Sequence, residues 1–265
     1  MSRRIDIDEL TLACEDRGDG PAVLFLHGLG GSAYAWWPQL AALQAGGYRV
    51  IAHDARGAGR SSKPAGPYSV EQWADDAVGL VDAIGIERVA LVGHSVGCMV
   101  AEHAALLLGE RATALALCGG ALEWPEGAGP VFEQRAALAR GGRMDEVAEA
   151  VAAGGLSERC RAQRPELHGL MLELIASSDP EAYAESALAT AAGRMRDPAA
   201  IACPLLAFAG EHDAVTPPGF AEAIADAVPG ARAATVSEGA HWCMLECADV
   251  INDLLLSFLD EAVVT

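Results

Sequence analysis

Gly93-His94-Ser95-Val96-Gly97 stands between an apolar run, Val89 to Val92, and a stretch of helical spacing. A serine held in a tight strand-to-helix turn crowds the residues two positions away. Glycine is therefore required on both sides, and the turn lifts the hydroxyl clear of the strand. A serine hydroxyl is a weak nucleophile at neutral pH and needs an imidazole base within reach, itself oriented by a carboxylate. Two later positions supply these groups: Asp213 in Gly210-Glu-His-Asp-Ala-Val-Thr-Pro217 and His241 in Glu238-Gly-Ala-His-Trp242. Ser95, Asp213 and His241 are the candidate catalytic residues, with Glu123 as the alternative acid. The oxyanion of an acyl-transfer intermediate needs preorganised N–H donors. His27-Gly-Leu-Gly-Gly31 offers them, with the backbone N–H groups of Leu29 and Val96 as the natural pair.

Other chemistries lack their residues. Gly28-Leu-Gly-Gly31 misses the third spacing of a dinucleotide loop, and the chain has no Walker motif ending in Lys-Ser or Lys-Thr and no His-Glu-x-x-His helix. No cofactor and no metal are expected. The seven cysteines are odd in number, scattered, and contain no Cys-x-x-Cys pair, which points to reduced thiols in a reducing compartment. Cys243 and Cys247 are read as small buried hydrophobes.

The elements that must position these residues alternate. Strands are predicted at Leu10 to Glu15, Ala22 to Leu26, Tyr48 to Ala52, Arg88 to Val92, Ala112 to Cys118 and Leu205 to Ala209. Between or after them, helical patterns cover Ser32 to Gln44, Val70 to Ile84, Val96 to Leu108 and Cys247 to Leu259. Short apolar strands separated by helices of 10 to 15 residues give a mostly parallel sheet of about eight strands, covered on both faces. The turn chemistry of Arg17 to Pro21 suggests a hairpin-like passage from the first of these strands to the second. Residues 121–196 carry Ala-, Glu- and Arg-rich helical segments without a convincing strand. They read as a helical lid inserted into a core formed by 1–120 and 197–265. Trp36 and Trp37 read as core, and Asp54 and Arg56 as braces of their loop.

A chain of 265 residues with 52% hydrophobic and 21% charged residues can bury a core, as one large α/β unit or two domains. Lys plus Arg number 18 against 37 Asp plus Glu, a net charge of −19 that repels phosphate backbones and anionic lipid surfaces. Nucleic acid and membranes are poor partners; a small-molecule substrate is the expected one. No run approaches the length of a membrane span, and acids occupy the start where a secretory apolar region would lie, so a cytoplasmic monomer or homodimer is expected.

His27-Gly, Asp54-x-Arg-Gly-x-Gly-x-Ser61, Gly93-x-Ser-x-Gly97, Gly210-x-x-Asp213 and Gly239-x-His241 together resemble the α/β-hydrolase superfamily across nearly the whole chain. Within it, Gly66-Pro-Tyr-Ser-Val-Glu71, Arg135 with Gly142-x-Met144, and Ser178-Asp-Pro-Glu-Ala-Tyr183 look like the 3-oxoadipate enol-lactonase group. The chain departs from that group at Val96, Cys98 and Ala58, where Met, Gly and His are usual. The resemblance implies a serine hydrolase of small esters or lactones. Serine at position 95, in place of a carboxylate, argues against dehalogenase and epoxide-hydrolase chemistry. Thioester, C–C bond or perhydrolytic chemistry on the same residues is the enzymatic alternative, and a ligand-binding protein the other. Trp124 and Arg135 are candidate substrate contacts. Arg140 and Arg143 join Arg135 as possible sources of positive charge for an acidic substrate or product.

Overall fold

The computed structural model describes residues 2–263. In chain order the strands are β1 (Ser2–Ile7), β2 (Leu10–Arg17), β3 (Ala22–Leu26), β4 (Arg49–His53), β5 (Val89–His94), β6 (Ala112–Cys118), β7 (Leu205–Gly210) and β8 (Arg232–Val236). They form one sheet in the order β1-β2-β4-β3-β5-β6-β7-β8. β2 runs antiparallel to β1 and β4, and every other neighbouring pair is parallel. The mostly parallel, eight-stranded α/β architecture predicted from the sequence is present.

Helices α1 (Trp37–Ala45), α2 (Val70–Ala83) and α3 (Val96–Leu108) follow β3, β4 and β5 in turn. Between β6 and β7 lie α4 (Ala128–Arg140), α5 (Met144–Gly155), α6 (Glu158–Gln163), α7 (Pro165–Ala176) and α8 (Pro180–Ala192). α9 (Pro218–Ala227) joins β7 to β8, and α10 (Cys243–Glu246) and α11 (Ala248–Val263) follow β8.

The central strands read as unbroken apolar runs because both of their faces are covered. Along β3, Val23 and Phe25 enter one buried cluster while Leu24 and Leu26 enter the other, as the two-residue period of a strand requires. The helices answer with one-sided stripes. In α2, Val70, Trp73, Ala74, Ala77, Leu80 and Val81 are buried, and the Ser69 hydroxyl caps the first turn by accepting the Gln72 N–H at 3.2 Å.

Three features differ from the sequence reading. β2 and β3 are not a hairpin: β4 lies between them, and β2 instead pairs with β1, a strand the sequence reading missed. β8 was missed as well. Both are edge strands whose side chains are mostly exposed, so neither carries an apolar run. Trp36 is fully buried as expected, but Trp37 is half-exposed, with the Arg17 guanidinium 4.4 Å from its ring centroid.

The chain segments entering and leaving the helices between β6 and β7 are tied together. Met195 N–H donates to the Leu122 carbonyl at 2.7 Å, beside an antiparallel bridge between Glu123 and Arg194. Buried Glu102 in α3 accepts the N–H groups of Arg196 and Asp197 at 3.0 and 2.8 Å, so the helix that begins after Ser95 also anchors the return to the sheet.

At the junction of β5 and α3 the backbone leaves no room for side chains. A Cβ at Gly93 would stand 2.4 Å from the Gly97 carbonyl oxygen, and one at Gly97 would stand 2.4 Å from that of Leu26. Both obstacles are backbone, which cannot swing aside. Gly97→Ala is expected to cost at least about 2 kcal/mol of folding stability, read as a lower midpoint in urea unfolding; a wild-type midpoint would contradict the tight crossing.

Candidate active site

Ser95 takes φ 55° and ψ −124°, a left-handed conformation that costs a non-glycine residue free energy. The turn is held by backbone bonds: Ser95 N–H donates to the Cys118 carbonyl at the end of β6, and Cys98 N–H donates back to the Ser95 carbonyl, each at 2.9 Å. The next N–H, that of Val96, opens α3. Across the sheet, the loop after β3 brings Gly28 against the elbow, where a Cβ would meet Ser95 Cβ at 3.0 Å. Leu29 follows it. Leu29 and Val96 share the wall of one cleft, with Gly30, Trp73, Val100 and Ser186 among the other lining residues.

The sequence-predicted acid and base meet. His241 Nδ1 lies 2.9 Å from Asp213 Oδ2, and both side chains are buried. Asp213 Oδ1 accepts the N–H groups of Val215 and Thr216, both at 2.8 Å, which fixes the carboxylate plane. An ionised carboxylate only accepts, so His241 Nδ1 carries the proton and Nε2 keeps a lone pair. Thr216 Oγ1 lies 2.9 Å from both Asp213 Oδ2 and the Gly119 carbonyl. Gly119, at φ 60°, passes directly beneath the pair: its Cβ would sit 3.1 Å from His241 Nδ1.

Ser95 reaches this pair through its neighbour. His94 Nε2 donates to the His241 carbonyl at 2.9 Å, and the two imidazole rings are 4.8 Å apart. Among the described residues no hydrogen bond joins the Ser95 hydroxyl to the His241 ring. Such contacts are often long in a free enzyme and tighten when substrate binds.

Burial works against charge on the Asp213 carboxyl, but the His241 imidazole and the donors from His241 and Thr216 outweigh it and hold the group below its ordinary range. Burial holds neighbouring imidazoles neutral: His94 and His53 are each pushed down to about 3, and His27 is lowered too. In His27, Nε2 accepts the Ala55 N–H at 3.0 Å, so Nδ1 is the protonated nitrogen and donates to the Gly28 carbonyl at 2.8 Å. That bond braces the glycine loop. Asp54 braces it from the other side, accepting the Ala33 and Arg60 N–H groups at 2.8 Å.

Residues 21–247 match the alpha/beta hydrolase fold family. The chain belongs to this family and is a hydrolase. RutD of Azorhizobium caulinodans, which bears a provisional carbamate-hydrolase name, is 31% identical over 255 residues, 93% of this chain and 94% of that protein. The enol-lactonase from Burkholderia xenovorans LB400 superposes with a TM-score of 0.92 at 28% identity, over 97% of this chain and all of that one. A thermophilic esterase from Thermogutta terrifontis gives 0.92 at 27% identity, over 99% of each chain. An epoxide hydrolase of Caballeronia sordidicola is 43% identical, but over 104 residues, 38% of this chain and 32% of that protein.

In this alpha/beta hydrolase the remaining predicted contacts are dispersed. Glu123 stands at the bridge with Arg194, away from the His241–Asp213 contact. Arg140 is engaged by Glu181 and by half-buried Glu185, and Arg143 by Glu146. Arg135 lies 5.9 Å from the Phe132 ring centroid, and the Trp124 ring packs 5.4 Å from the same phenyl group. Arg56 is clamped by Asp76 through two bonds of 2.6 Å, as its reading as a brace required. Sequence reasoning missed Thr216 and the bracing roles of His94 and His27. The spacing Asp213-Ala-Val-Thr216 carried the signal for the first, because an aspartate accepting N–H groups two and three residues on is a turn motif. Cys243 is buried as predicted, while Cys247 is half-buried.

His27, His53 and His94 are neutral when folded and have an ordinary value near 6.5 when unfolded. Between those limits the unfolded chain binds more protons, so stability falls as pH drops below about 6.5; His53 and His94 each contribute up to about 1.4 kcal/mol per pH unit, and His27 acts in the same direction. Unfolding free energy should change little from pH 7.5 to about 6.5 and decline from there to pH 5; a flat profile would show that these rings titrate alike in the folded and unfolded chain.

Proposed function

We propose that the chain hydrolyses small-molecule esters or lactones through an acyl-enzyme on Ser95. The observation that carries this reading is the 2.9 Å contact between His241 Nδ1 and Asp213 Oδ2 beside a serine held at φ 55°. With Nδ1 protonated toward the carboxylate, Nε2 is the base that takes the Ser95 proton as the hydroxyl attacks the carbonyl. Asp213 stabilises the imidazolium that forms. The Leu29 and Val96 N–H groups receive the oxyanion, and the imidazolium returns its proton to the leaving oxygen. Water then repeats the sequence and releases the acid. The helices between β6 and β7 act as the lid over this site, and their contacts select among substrates.

The esterase and enol-lactonase likenesses extend over nearly the full chain and favour an ester or lactone carbonyl. The epoxide-hydrolase likeness covers little more than a third of it, and opening an epoxide through an alkyl-enzyme takes a carboxylate nucleophile where this chain has Ser95.

A fluorophosphonate probe should label Ser95, located by mass spectrometry, and Ser95→Ala should abolish labelling and lower kcat on p-nitrophenyl acetate at least about 1000-fold. An adduct elsewhere, or undiminished turnover by the variant, would overturn the assignment.

A further inference from the structure

α10 is a single turn that starts two residues after His241. Residues 155–157, where α5 passes into α6, grip it at both ends. At its start the Trp242 N–H donates to the Gly155 carbonyl at 3.0 Å. At its end the Glu246 carboxylate accepts the Ser157 N–H at 3.1 Å and the Ser157 hydroxyl at 2.6 Å. Ser157 is buried and its oxygen also accepts the Cys160 N–H at 3.0 Å, so the one hydroxyl proton is committed to Glu246. The approach is close. A Cβ at Gly155 would stand 2.9 Å from Trp242 Cδ1.

A half-buried carboxylate held by a hydroxyl and an amide gains little stability over an apolar contact of the same size, because it first gives up water. What such bonds supply is direction, and the group beside them is His241. The peptide linking His241 to Trp242 has both polar atoms engaged: its carbonyl accepts from His94 Nε2 at 2.9 Å, and its N–H donates to Gly155. A peptide unit is rigid and planar, so holding both atoms sets the plane that leaves the His241 Cα. With Nδ1 on Asp213 Oδ2, the imidazole is held from three sides: the loop after β7, the residue before Ser95, and the helices inserted between β6 and β7.

We infer that Ser157 and Glu246 are positioning residues, which hold α10 and the His241–Trp242 peptide so that the imidazole points at Ser95. The inference rests on the reading of His241 as the base for Ser95. It adds that the inserted helices, besides covering the substrate, carry part of the mount of the base.

Ser157→Ala and Asp179→Ala each remove an N-cap from an inserted helix, since Asp179 Oδ1 accepts the Ala182 N–H at 2.9 Å at the start of α8. Only the first touches α10. Ser157→Ala and Glu246→Ala should each lower kcat/KM at least about tenfold, by the same factor for p-nitrophenyl acetate and p-nitrophenyl butyrate, because a displaced base slows every acyl transfer alike. Asp179→Ala should stay within about threefold of the wild type on both esters, because it leaves the geometry of the base intact. Rates are compared well below each protein's thermal midpoint, so that unfolding does not enter. Wild-type rates in Ser157→Ala and Glu246→Ala, an equal loss in Asp179→Ala, or a loss confined to the longer ester would overturn the inference. Proton NMR keeps this distinct from failure of the Ser95 chemistry, since the His241 Nδ1 proton on Asp213 is observed without turnover. That proton should exchange with water at least about tenfold faster in Ser157→Ala and Glu246→Ala than in the wild type and Asp179→Ala. Such a difference supports the mount even if no ester is hydrolysed, and equal exchange in all four proteins overturns it whatever the nucleophile.

Discussion

The crossing of β5 and α3 at Ser95 is the constraint from which the rest of the site follows. The chain must reverse direction between a fully buried strand and a mostly buried helix within one residue, and it does so only at φ 55° with bare backbone on either side. That conformation is unfavourable for serine and is maintained because its neighbours are over-determined. The Cys118 carbonyl receives the Ser95 N–H, Leu26 and His27 press on Gly97, and Gly28 presses on Ser95 Cβ. Loosening any of these would let the hydroxyl sink toward the sheet.

The proposed acid and base arrive by a different route. β7 and β8 deliver Asp213 and His241 on adjacent loops, and Gly210 lets the two loops cross: its Cβ would lie 2.3 Å from the Gly239 carbonyl oxygen. His94 joins the two halves, since it precedes the serine in sequence and holds the His241 carbonyl in space. The neutral state of His94 matters, because a second cation 4.8 Å from the His241 ring would oppose the imidazolium that acid–base chemistry requires.

Much of this was legible in the sequence, for a physical reason. The elbow needs glycine at fixed offsets, the central strands need unbroken apolar runs, and Asp213 and His241 sit in loops with strong turn chemistry, so each leaves a local mark. What stayed hidden is what depends on partners distant in sequence. β1 and β8 are edge strands with one neighbour each and little buried surface, and the placement of β4 between β2 and β3 is decided by crossover geometry and not by the turn at Gly18 to Pro21. The approach of Tyr183 to Gly30 is likewise recognisable only once α8 is seen against the glycine loop.

The central claim is that the elbow holds Ser95 where one imidazole and two backbone N–H groups converge on the same reacting atoms. A crystal structure of the covalent adduct with a diethyl phosphate ester tests it most directly. The account predicts a phosphorus bonded to Ser95 Oγ, its phosphoryl oxygen about 2.7–3.1 Å from the Leu29 and Val96 nitrogens, and His241 Nε2 within hydrogen-bond reach of Oγ or an ester oxygen. A phosphoryl oxygen directed away from both nitrogens, or an imidazole still out of reach, would contradict it.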